Sequence, residues 1–163
     1  METDRSFGAH ERSRDWVVSN RIHYLWSSML RIVRSSTLQR TILLVDDEPE
    51  VRRLLERMLG HLGYRVLPAQ NGPEALTVLA QHPEPVHLLV TDLQMPGMGG
   101  RELASRFVAL RPGAAVLFLS GNADEGDDTQ GREGVAARFL PKPFSSRQLD
   151  AEIHALLSDI PLD

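Results

Sequence analysis

Five short runs rich in apolar residues alternate with segments of helical periodicity along most of this chain. The runs occupy residues 41–45, 65–68, 86–91, 114–119 and 137–140, and those at 65–68 and 137–140 each also contain an arginine. Apolar runs of about four to eight residues are typical of strands that are buried on both faces of a parallel sheet. The segments between most of them repeat their apolar residues every three or four positions, which indicates amphipathic helices.

This alternation predicts an α/β domain with a five-stranded parallel sheet and helices on both faces. Right-handed crossovers restrict the topology to a doubly wound, flavodoxin-like sheet, for which 2-1-3-4-5 is a common strand order. In that order the first and third strands are neighbours. We therefore expect their carboxyl ends to meet at one edge of the sheet.

Helices are predicted at 49–61, 72–81, 100–110 and 145–157. Pro49 suits a first helical turn, and Asn71 suits an N-cap. The apolar residues assigned to the first helix are Val51, Leu54, Leu55, Met58, Leu59 and Leu62, and those assigned to the third are Leu103, Phe107, Val108 and Leu110. Residues 121–136 contain four Gly and five acidic residues, so the fourth of the five expected helices should be short or disordered there.

Charged residues stand at the carboxyl ends of three of these runs. Asp46 and Asp47 follow the first run, Asp92 follows the third, and Lys142 follows the fifth. We expect the three aspartates to converge with Lys142 nearby. Because clustered carboxylates repel one another, the pattern predicts a site for Mg²⁺ (or Mn²⁺), which prefers oxygen ligands.

Lys142 and a hydroxyl extend this predicted site toward phosphoryl transfer. Lys142 can pair with a carboxylate or bind a phosphoryl oxygen, and Ser120, at the end of the fourth run, supplies a hydroxyl at the same edge. Phosphoryl transfer depends mainly on positioning and charge neutralisation, and a carboxylate can be the nucleophile. Asp92 is the best candidate because it stands alone on the central strand. Taken alone, Asp46-Asp47 could instead be a turn or cap pair, and Ser120 a plain helix cap.

At these residues the chain resembles the receiver domain of two-component response regulators. The resemblance covers residues 41–158 and rests on ILLVDDEP, TDLQMPGMGG, LFLSG and FLPKPF. The intervals are specific: 45 residues from Asp47 to Asp92, 28 to Ser120 and 22 more to Lys142. The stretches SGNADE and MPGMGGREL are most similar to receivers of hybrid histidine kinases.

The resemblance implies a role for each residue of the site. Asp47, Asp92 and the backbone carbonyl of Gln94 would bind the metal ion, and Asp46 would act through water. Asp92 would accept a phosphoryl group from a histidine, and Lys142, before a cis Pro143, would hold a phosphoryl oxygen.

Further roles follow from the same resemblance. Ser120 would move to the phosphate, and Phe139 would be an aromatic switch, although Phe139 could equally be core packing. Gln94 and Asn122 would flank attacking water and set the lifetime of the acyl phosphate.

The function implied is a phosphoacceptor module that switches protein–protein contacts and is not a turnover enzyme. Its partner would be a sensor histidine kinase or a histidine phosphotransfer protein. Alternatives are a phosphate sink and a Mg²⁺-dependent aspartyl-phosphate phosphatase; such phosphatases usually have a second acid where Gln94 stands. Cysteine is absent and no apolar run reaches 18 residues, so a cytoplasmic protein is expected, with no attached output domain after residue 158.

Charge separates an N-terminal extension, residues 1–40, from the domain at 41–158 and a tail at 159–163. Residues 1–40 carry seven Arg and four acids, a net +3; residues 41–163 carry a net −7, which argues against direct binding of nucleic acid. An amphipathic helix is predicted at about 16–34. It would bind a partner protein or a second copy of the chain, giving a homodimer, or it would pack on its own domain. Contact with an anionic membrane surface is a less favoured alternative, and a linker or a segment without structure is a third.

Overall fold

The computed structural model describes residues 39–121, 136–158 and 160. The chain divides into two units between Leu38 and Gln39, and the described residues belong to the second unit. Its strands are β1 (Thr41–Val45), β2 (Arg65–Ala69), β3 (Leu88–Asp92), β4 (Ala115–Ser120) and β5 (Ala137–Pro141). Its helices are α1 (Pro49–His61), α2 (Gly72–Gln81), α3 (Gly100–Leu110) and α4 (Ser146–Leu157).

The five strands form one parallel sheet in the order β2-β1-β3-β4-β5. This confirms the predicted fold class and strand order. Val45 pairs with Thr91, and Ser120 pairs with Pro141. The carboxyl ends of β1, β3, β4 and β5 therefore lie at one edge of the sheet.

Each face of the sheet is covered by a separate apolar core. Side chains alternate between the two faces along a strand, so Leu43 and Leu44 belong to different cores. The first core contains Leu55, Leu59, Leu149 and Ile153 of α1 and α4. The second core contains Ala75, Leu79, Leu103 and Phe107 of α2 and α3. Helices therefore pack on both faces of the sheet and support the strands whose carboxyl ends meet at one edge.

Local signals explain where the helices begin. Pro49 occupies the first turn of α1. The Asn71 side chain accepts a hydrogen bond of 2.9 Å from the Glu74 N–H at the start of α2. At the start of α4, Ser145 and Gln148 form a reciprocal capping box. The predicted bounds of α1, α2 and α3 are those observed, and α4 begins one residue later than predicted because Ser145 is its cap.

Two leucines assigned to apolar helix faces are exposed. Leu54 is 51% exposed and Leu110 is 52% exposed. Their helices pack on the sheet through a narrower stripe than their sequences suggest, centred on Leu55 and Leu59 in α1 and on Leu103 and Phe107 in α3. The assignment of Leu54 and Leu110 to the buried faces was therefore wrong.

Several predictions concern residues outside the described ranges. These are the amphipathic helix at about 16–34, nearly all of the Gly-rich segment at 121–136, which includes Asn122, and most of the tail at 159–163. In the ranges that are described, no helix combines the length and the apolar character needed to cross a membrane.

Candidate functional site

Four strand ends bring the predicted site residues to one edge of the sheet. Asp46 follows Val45, whose partner in β3 is Thr91. Asp92 is the last residue of β3 and pairs with Leu119. Lys142 follows Pro141, which pairs with Ser120. Asp46, Asp92, Ser120 and Lys142 thus lie next to one another although 96 residues separate the first from the last.

The Lys142 ammonium group lies between two carboxylates. Its Nζ is 2.5 Å from Asp92 Oδ2 and 3.5 Å from Asp46 Oδ2. The Asp46 side chain is 0% exposed, that of Asp92 is 13% exposed and that of Lys142 is 25% exposed. Asp46 and Asp92 therefore share a single cation at a partly water-excluded position, where charge interactions are stronger than at the surface.

Asp46 is held through four of its polar atoms. Its N–H donates to the Ala69 carbonyl at 3.3 Å, and its Oδ1 accepts from the Glu48 N–H at 2.9 Å. Its backbone carbonyl accepts from Arg52 Nη1 at 2.6 Å. Its Oδ2 faces Lys142. The carboxylate at the end of β1 is consequently fixed in both position and orientation.

Burial and neighbouring charges move the pKa values of this pair. Burial raises the pKa of Asp46 above its usual value, although the charge of Lys142 and the Glu48 N–H oppose the shift. Burial also lowers the pKa of Lys142, but the hydrogen bond to Asp92 and the charges of Asp46 and Asp92 outweigh this and raise it overall. Lys142 is therefore firmly cationic, whereas the Asp46 charge is held against a desolvation cost.

The loop after Asp92 folds back over the Asp92 carboxylate. The Gln94 N–H donates to Asp92 Oδ1 at 2.9 Å, and the Leu93 N–H donates to the Leu119 carbonyl at 3.1 Å. The hydroxyl of Thr91, which is fully buried, donates to the Asp92 carbonyl at 3.0 Å. Both Asp92 carboxylate oxygens thus have a donor, one from the backbone and one from Lys142.

Gly100 allows α3 to approach the end of β3. A Cβ at position 100 would lie 2.2 Å from the Asp92 carbonyl oxygen, so only glycine fits there. The Gly100 N–H donates to the Leu93 carbonyl at 3.1 Å. Gly100 therefore contributes to the position of the Asp92 backbone.

Ser120 and Lys142 are joined through the backbone. Ser120 is 2% exposed, and its carbonyl accepts from the Lys142 N–H at 2.7 Å. The peptide bond between Lys142 and Pro143 is cis, as the resemblance implies.

Phe139 is half-buried and packs against the second core. Its ring stacks on that of Phe118, its direct partner across β4 and β5, with centroids 4.9 Å apart and planes inclined by 20°. The Arg101 guanidinium lies over the Phe139 ring, 5.7 Å from its centroid. Phe139 thus contacts one aromatic ring and one cation, and its role as an aromatic switch stays a prediction.

The predicted metal ligands are arranged less completely. Asp47 follows Asp46 at the end of β1 and is exposed. Among the described residues, no group of three or more His, Asp or Glu side chains is placed to hold a metal ion. The donor chemistry nevertheless fits a hard cation, because Asp47, Asp92 and the Gln94 carbonyl supply oxygen atoms. The hydrogen bond from the Gln94 N–H to the Asp92 carboxylate keeps the Gln94 backbone beside this edge of the sheet.

Sequence reasoning missed Arg52, Thr91, Gly100 and Arg101. Each contacts a predicted site residue, either with its side chain or through a close approach of its backbone. Apolar periodicity indicates neither kind of contact. The glycine pair Gly99-Gly100 at the start of α3 was the one visible signal, since glycine often marks a place where two backbones come close.

The region that contains these residues is similar to a known family of proteins. A family profile described as response regulator receiver domain matches residues 42–154. The chain is 36% identical over 118 residues to the response regulator receiver protein CpdR of Brucella abortus, an alignment covering 72% of this chain and 97% of CpdR. It is also 36% identical over 120 residues to a probable transcriptional regulator, ycf27, of Cyanophora paradoxa, covering 73% of this chain and 48% of ycf27. The chain thus spans about half the length of such regulators.

Solved structures with the same fold include two receiver proteins. The receiver domain of the hybrid histidine kinase CckA superposes with a TM-score of 0.61 at 34% identity, covering 72% of this chain and 98% of that domain. The response regulator TrrA of Thermotoga maritima, solved in complex with Mg²⁺-BeF, superposes with a TM-score of 0.63 at 29% identity. That comparison covers 73% of this chain and 100% of TrrA.

Proposed function

Because the chain belongs to the response regulator receiver domain family, we propose that it is a phosphoacceptor module whose Asp92 is phosphorylated in a Mg²⁺-dependent reaction. The phosphoryl donor is a histidine of a sensor histidine kinase or of a histidine phosphotransfer protein. The phosphorylated state changes the protein–protein contacts of the domain. The module transfers or releases its phosphoryl group but is not a turnover enzyme.

The contact between Lys142 Nζ and Asp92 Oδ2 at 2.5 Å is the observation that carries this proposal. A nucleophilic carboxylate needs a nearby cation, because negative charge accumulates on the transferred phosphoryl oxygens. Lys142 reaches Asp92 from the end of β5, and Asp46 holds Lys142 from the other side at 3.5 Å. An ammonium held by two carboxylates is pre-positioned for this task.

In the proposed reaction an Asp92 carboxylate oxygen attacks the phosphorus of a phosphohistidine. A P–O bond forms as the P–N bond breaks, and the leaving imidazole nitrogen takes a proton from solvent. Lys142 then moves its hydrogen bond from the carboxylate to a phosphoryl oxygen. Hydrolysis later returns Asp92 as a carboxylate and releases inorganic phosphate.

Asp47, Asp92 and the Gln94 carbonyl would hold Mg²⁺ or Mn²⁺, with Asp46 acting through water. The ion would neutralise phosphoryl charge when it is bound. Mg²⁺ usually uses few carboxylates and keeps several waters, and the exposed position of Asp47 leaves room for such waters. The solved complex of the relative TrrA with Mg²⁺-BeF supports this assignment.

Other residues would respond to phosphorylation of Asp92 or set the lifetime of the phosphorylated state. Ser120, buried beside the Lys142 backbone, would turn its hydroxyl toward the phosphoryl group. Phe139 would change its packing on Phe118 in response. Gln94 and Asn122 would flank attacking water and set the acyl-phosphate lifetime. We also propose a cytoplasmic location for the module.

Labelling with a small phosphodonor tests the proposal. The full chain is incubated with acetyl phosphate and Mg²⁺, and the gain of one phosphoryl group is followed by intact-mass spectrometry. We expect labelling of the wild type, loss of labelling when EDTA removes Mg²⁺, and no labelling of Asp92→Asn.

Asp150→Asn is the matched control, because Asp150 lies on α4 and none of the described hydrogen bonds or ion pairs joins it to Asp92 or Lys142. It should be labelled like the wild type. Undiminished labelling of Asp92→Asn would contradict the assignment of Asp92, and labelling that persists in EDTA would contradict the role of the metal ion.

A further inference from the structure

We propose that Arg52 is a positioning residue for the metal-binding edge of the site. Its guanidinium fixes the backbone at Asp46 and thereby orients the Asp46-Asp47 pair toward the ion. This inference rests on the proposed function and adds a residue to which neither the sequence motifs nor the comparisons assign a role.

The contact between Arg52 and the end of β1 is short and partly buried. Arg52 Nη1 donates to the Asp46 carbonyl oxygen at 2.6 Å. Hydrogen bonds from charged donors are stronger than neutral ones. The Asp46 carbonyl lies in the peptide group that continues into Asp47, so fixing this carbonyl also limits the rotation of the Asp47 backbone.

The other three contacts of Asp46 do not replace this one. Ala69 fixes the Asp46 N–H, while the Glu48 N–H and Lys142 fix its carboxylate. Within the described hydrogen bonds, Arg52 is the residue whose donor reaches the Asp46 carbonyl. The position of the Asp46 carbonyl group therefore depends on Arg52.

The position of Arg52 in α1 argues against a role that is limited to stabilising the helix. Its N–H donates to the Glu48 carbonyl at 2.9 Å, so Arg52 lies at the end of the first turn. A cation near a helix N-terminus is opposed by the helix dipole. Helical side chains lean toward the N-terminus, which directs Arg52 back to Asp46. The contact with the Asp46 carbonyl compensates for the unfavourable position.

Arg53 supplies a natural control on the same turn. It is exposed, and its Nε donates to the Pro49 carbonyl at 3.1 Å, which keeps the side chain on its own helix. Arg52 and Arg53 have the same charge and neighbouring positions, but only Arg52 touches the site.

Charge and positioning predict opposite effects on Mg²⁺ binding. If Arg52 acted only through its charge, its removal would reduce repulsion of the cation and tighten Mg²⁺ binding. If it positions Asp46 and Asp47, its removal should weaken binding, since loss of a residue that orients a metal ligand typically lowers affinity by about 10- to 100-fold. The sign of the change therefore separates the two roles.

The experiment compares Arg52→Met with Arg53→Met in the full chain. Mg²⁺ affinity is measured by isothermal titration calorimetry, and acetyl phosphate labelling is followed against Mg²⁺ concentration. We expect Arg52→Met to raise the Kd for Mg²⁺ by about tenfold and to raise the half-maximal Mg²⁺ concentration equally. The maximal labelling rate should stay within about threefold, because Asp92 and Lys142 make no contact with Arg52.

Arg53→Met should leave both quantities within about twofold of the wild type, as expected for an exposed, screened charge. Arg52→Lys keeps a cationic donor and should give an intermediate Kd, which remains informative if Arg52→Met folds poorly. An unchanged or tighter Kd in Arg52→Met, or a lower labelling rate at every Mg²⁺ concentration, would overturn the positioning role.

The phosphoacceptor role and the role of Arg52 are contradicted by different results. A wild type that binds no Mg²⁺ or takes no label would contradict the proposed function. A wild type that binds Mg²⁺ and is labelled, while Arg52→Met behaves like Arg53→Met, would contradict the role of Arg52 alone.

Discussion

At the residue scale, Asp46 and Lys142 make opposite contributions to the stability of the domain. Asp46 is a fully buried carboxylate whose pKa is raised by burial, so its charged form is held at a cost. Lys142 is stabilised as a cation by Asp92 and Asp46. The site thus carries one charge that weakens the fold and one that offsets it.

Replacing these two residues should change stability in opposite directions. Asp46→Asn removes the buried charge, keeps an oxygen for the Glu48 N–H, and should stabilise the Mg²⁺-free protein by about 1 kcal/mol. Lys142→Met leaves Asp46 without its cation and should destabilise it by about 3 kcal/mol. Urea unfolding at about pH 8 measures both changes; destabilisation by Asp46→Asn would contradict the account of Asp46.

The pH dependence has a definite sign. Because the folded pKa of Asp46 is raised above its ordinary 3.8, the native state binds more protons between the two values, and stability falls as pH rises through them. The gain in unfolding free energy from Asp46→Asn should therefore be complete above the folded pKa of Asp46 and should disappear as pH falls toward about 4. Lys142 stays charged throughout this range, so the difference between wild type and variant isolates Asp46. An advantage that grows in acid would contradict this assignment.

The sequence predicts the meeting of Asp46, Asp92 and Lys142 because each ends an apolar run and parallel strands place such residues at one edge. The contact of Arg52 with the Asp46 carbonyl could not be predicted in this way. It depends on where a long side chain turns after its helix is in place, and Arg52 and Arg53 look alike in the sequence.

At the scale of the elements, the close approach of α3 to β3 depends on Gly100. A Cβ at Gly100 would collide with the Asp92 carbonyl at 2.2 Å, whereas a Cβ at Gly60 in α1 would meet no atom within 4 Å. Gly100→Ala should destabilise the domain by about 1–3 kcal/mol. Gly60→Ala, in the last turn of α1, should stabilise it by roughly 0.5 kcal/mol because alanine loses less backbone entropy than glycine in a helical conformation.

Thermal unfolding compares the two glycine variants, and labelling adds a second readout. Gly100→Ala should also slow phosphorylation, because it displaces the backbone of Asp92, while Gly60→Ala should not. Equal stability of the two variants would show that α3 can shift without disturbing β3.

The starts of the helices follow from local signals, whereas the widths of their buried faces do not. Pro49, Asn71 and Ser145 mark starts that the structure confirms. The exposure of Leu54 and Leu110 depends on how each helix is rotated on the sheet, which is a property of the packed molecule. For that reason periodicity assigned both leucines to the buried side.

At the scale of the whole molecule, the first described residues are tied to the last. Arg40 Nη2 donates to the Leu157 carbonyl at 3.3 Å and also to the Ile160 carbonyl, and the Arg40 carbonyl accepts from the Arg65 N–H at 3.0 Å. Although charge composition predicts a boundary after residue 40, Arg40 contacts the folded domain. Composition could not reveal this, because the contact spans 117 residues.

Two truncations test the role of Arg40. A chain that begins at Gln39 should keep the thermal midpoint of the domain, whereas one that begins at Thr41 should lose about 1–3 kcal/mol with the Arg40 hydrogen bonds. Equal midpoints would show that Arg40 adds nothing. Sedimentation of the full chain beside the chain that begins at Gln39 also tests the predicted dimerisation through residues 1–38, which identical monomers would rule out.

The central claim is that Asp92 is the residue that carries the phosphoryl group. Borohydride reduces an aspartyl phosphate to homoserine, so peptide mass mapping after acetyl phosphate labelling and reduction locates the modified residue directly. We expect homoserine at position 92 and unmodified aspartate at 46, 47 and 150. Homoserine at any of those three positions, with Asp92 unmodified, would contradict this claim.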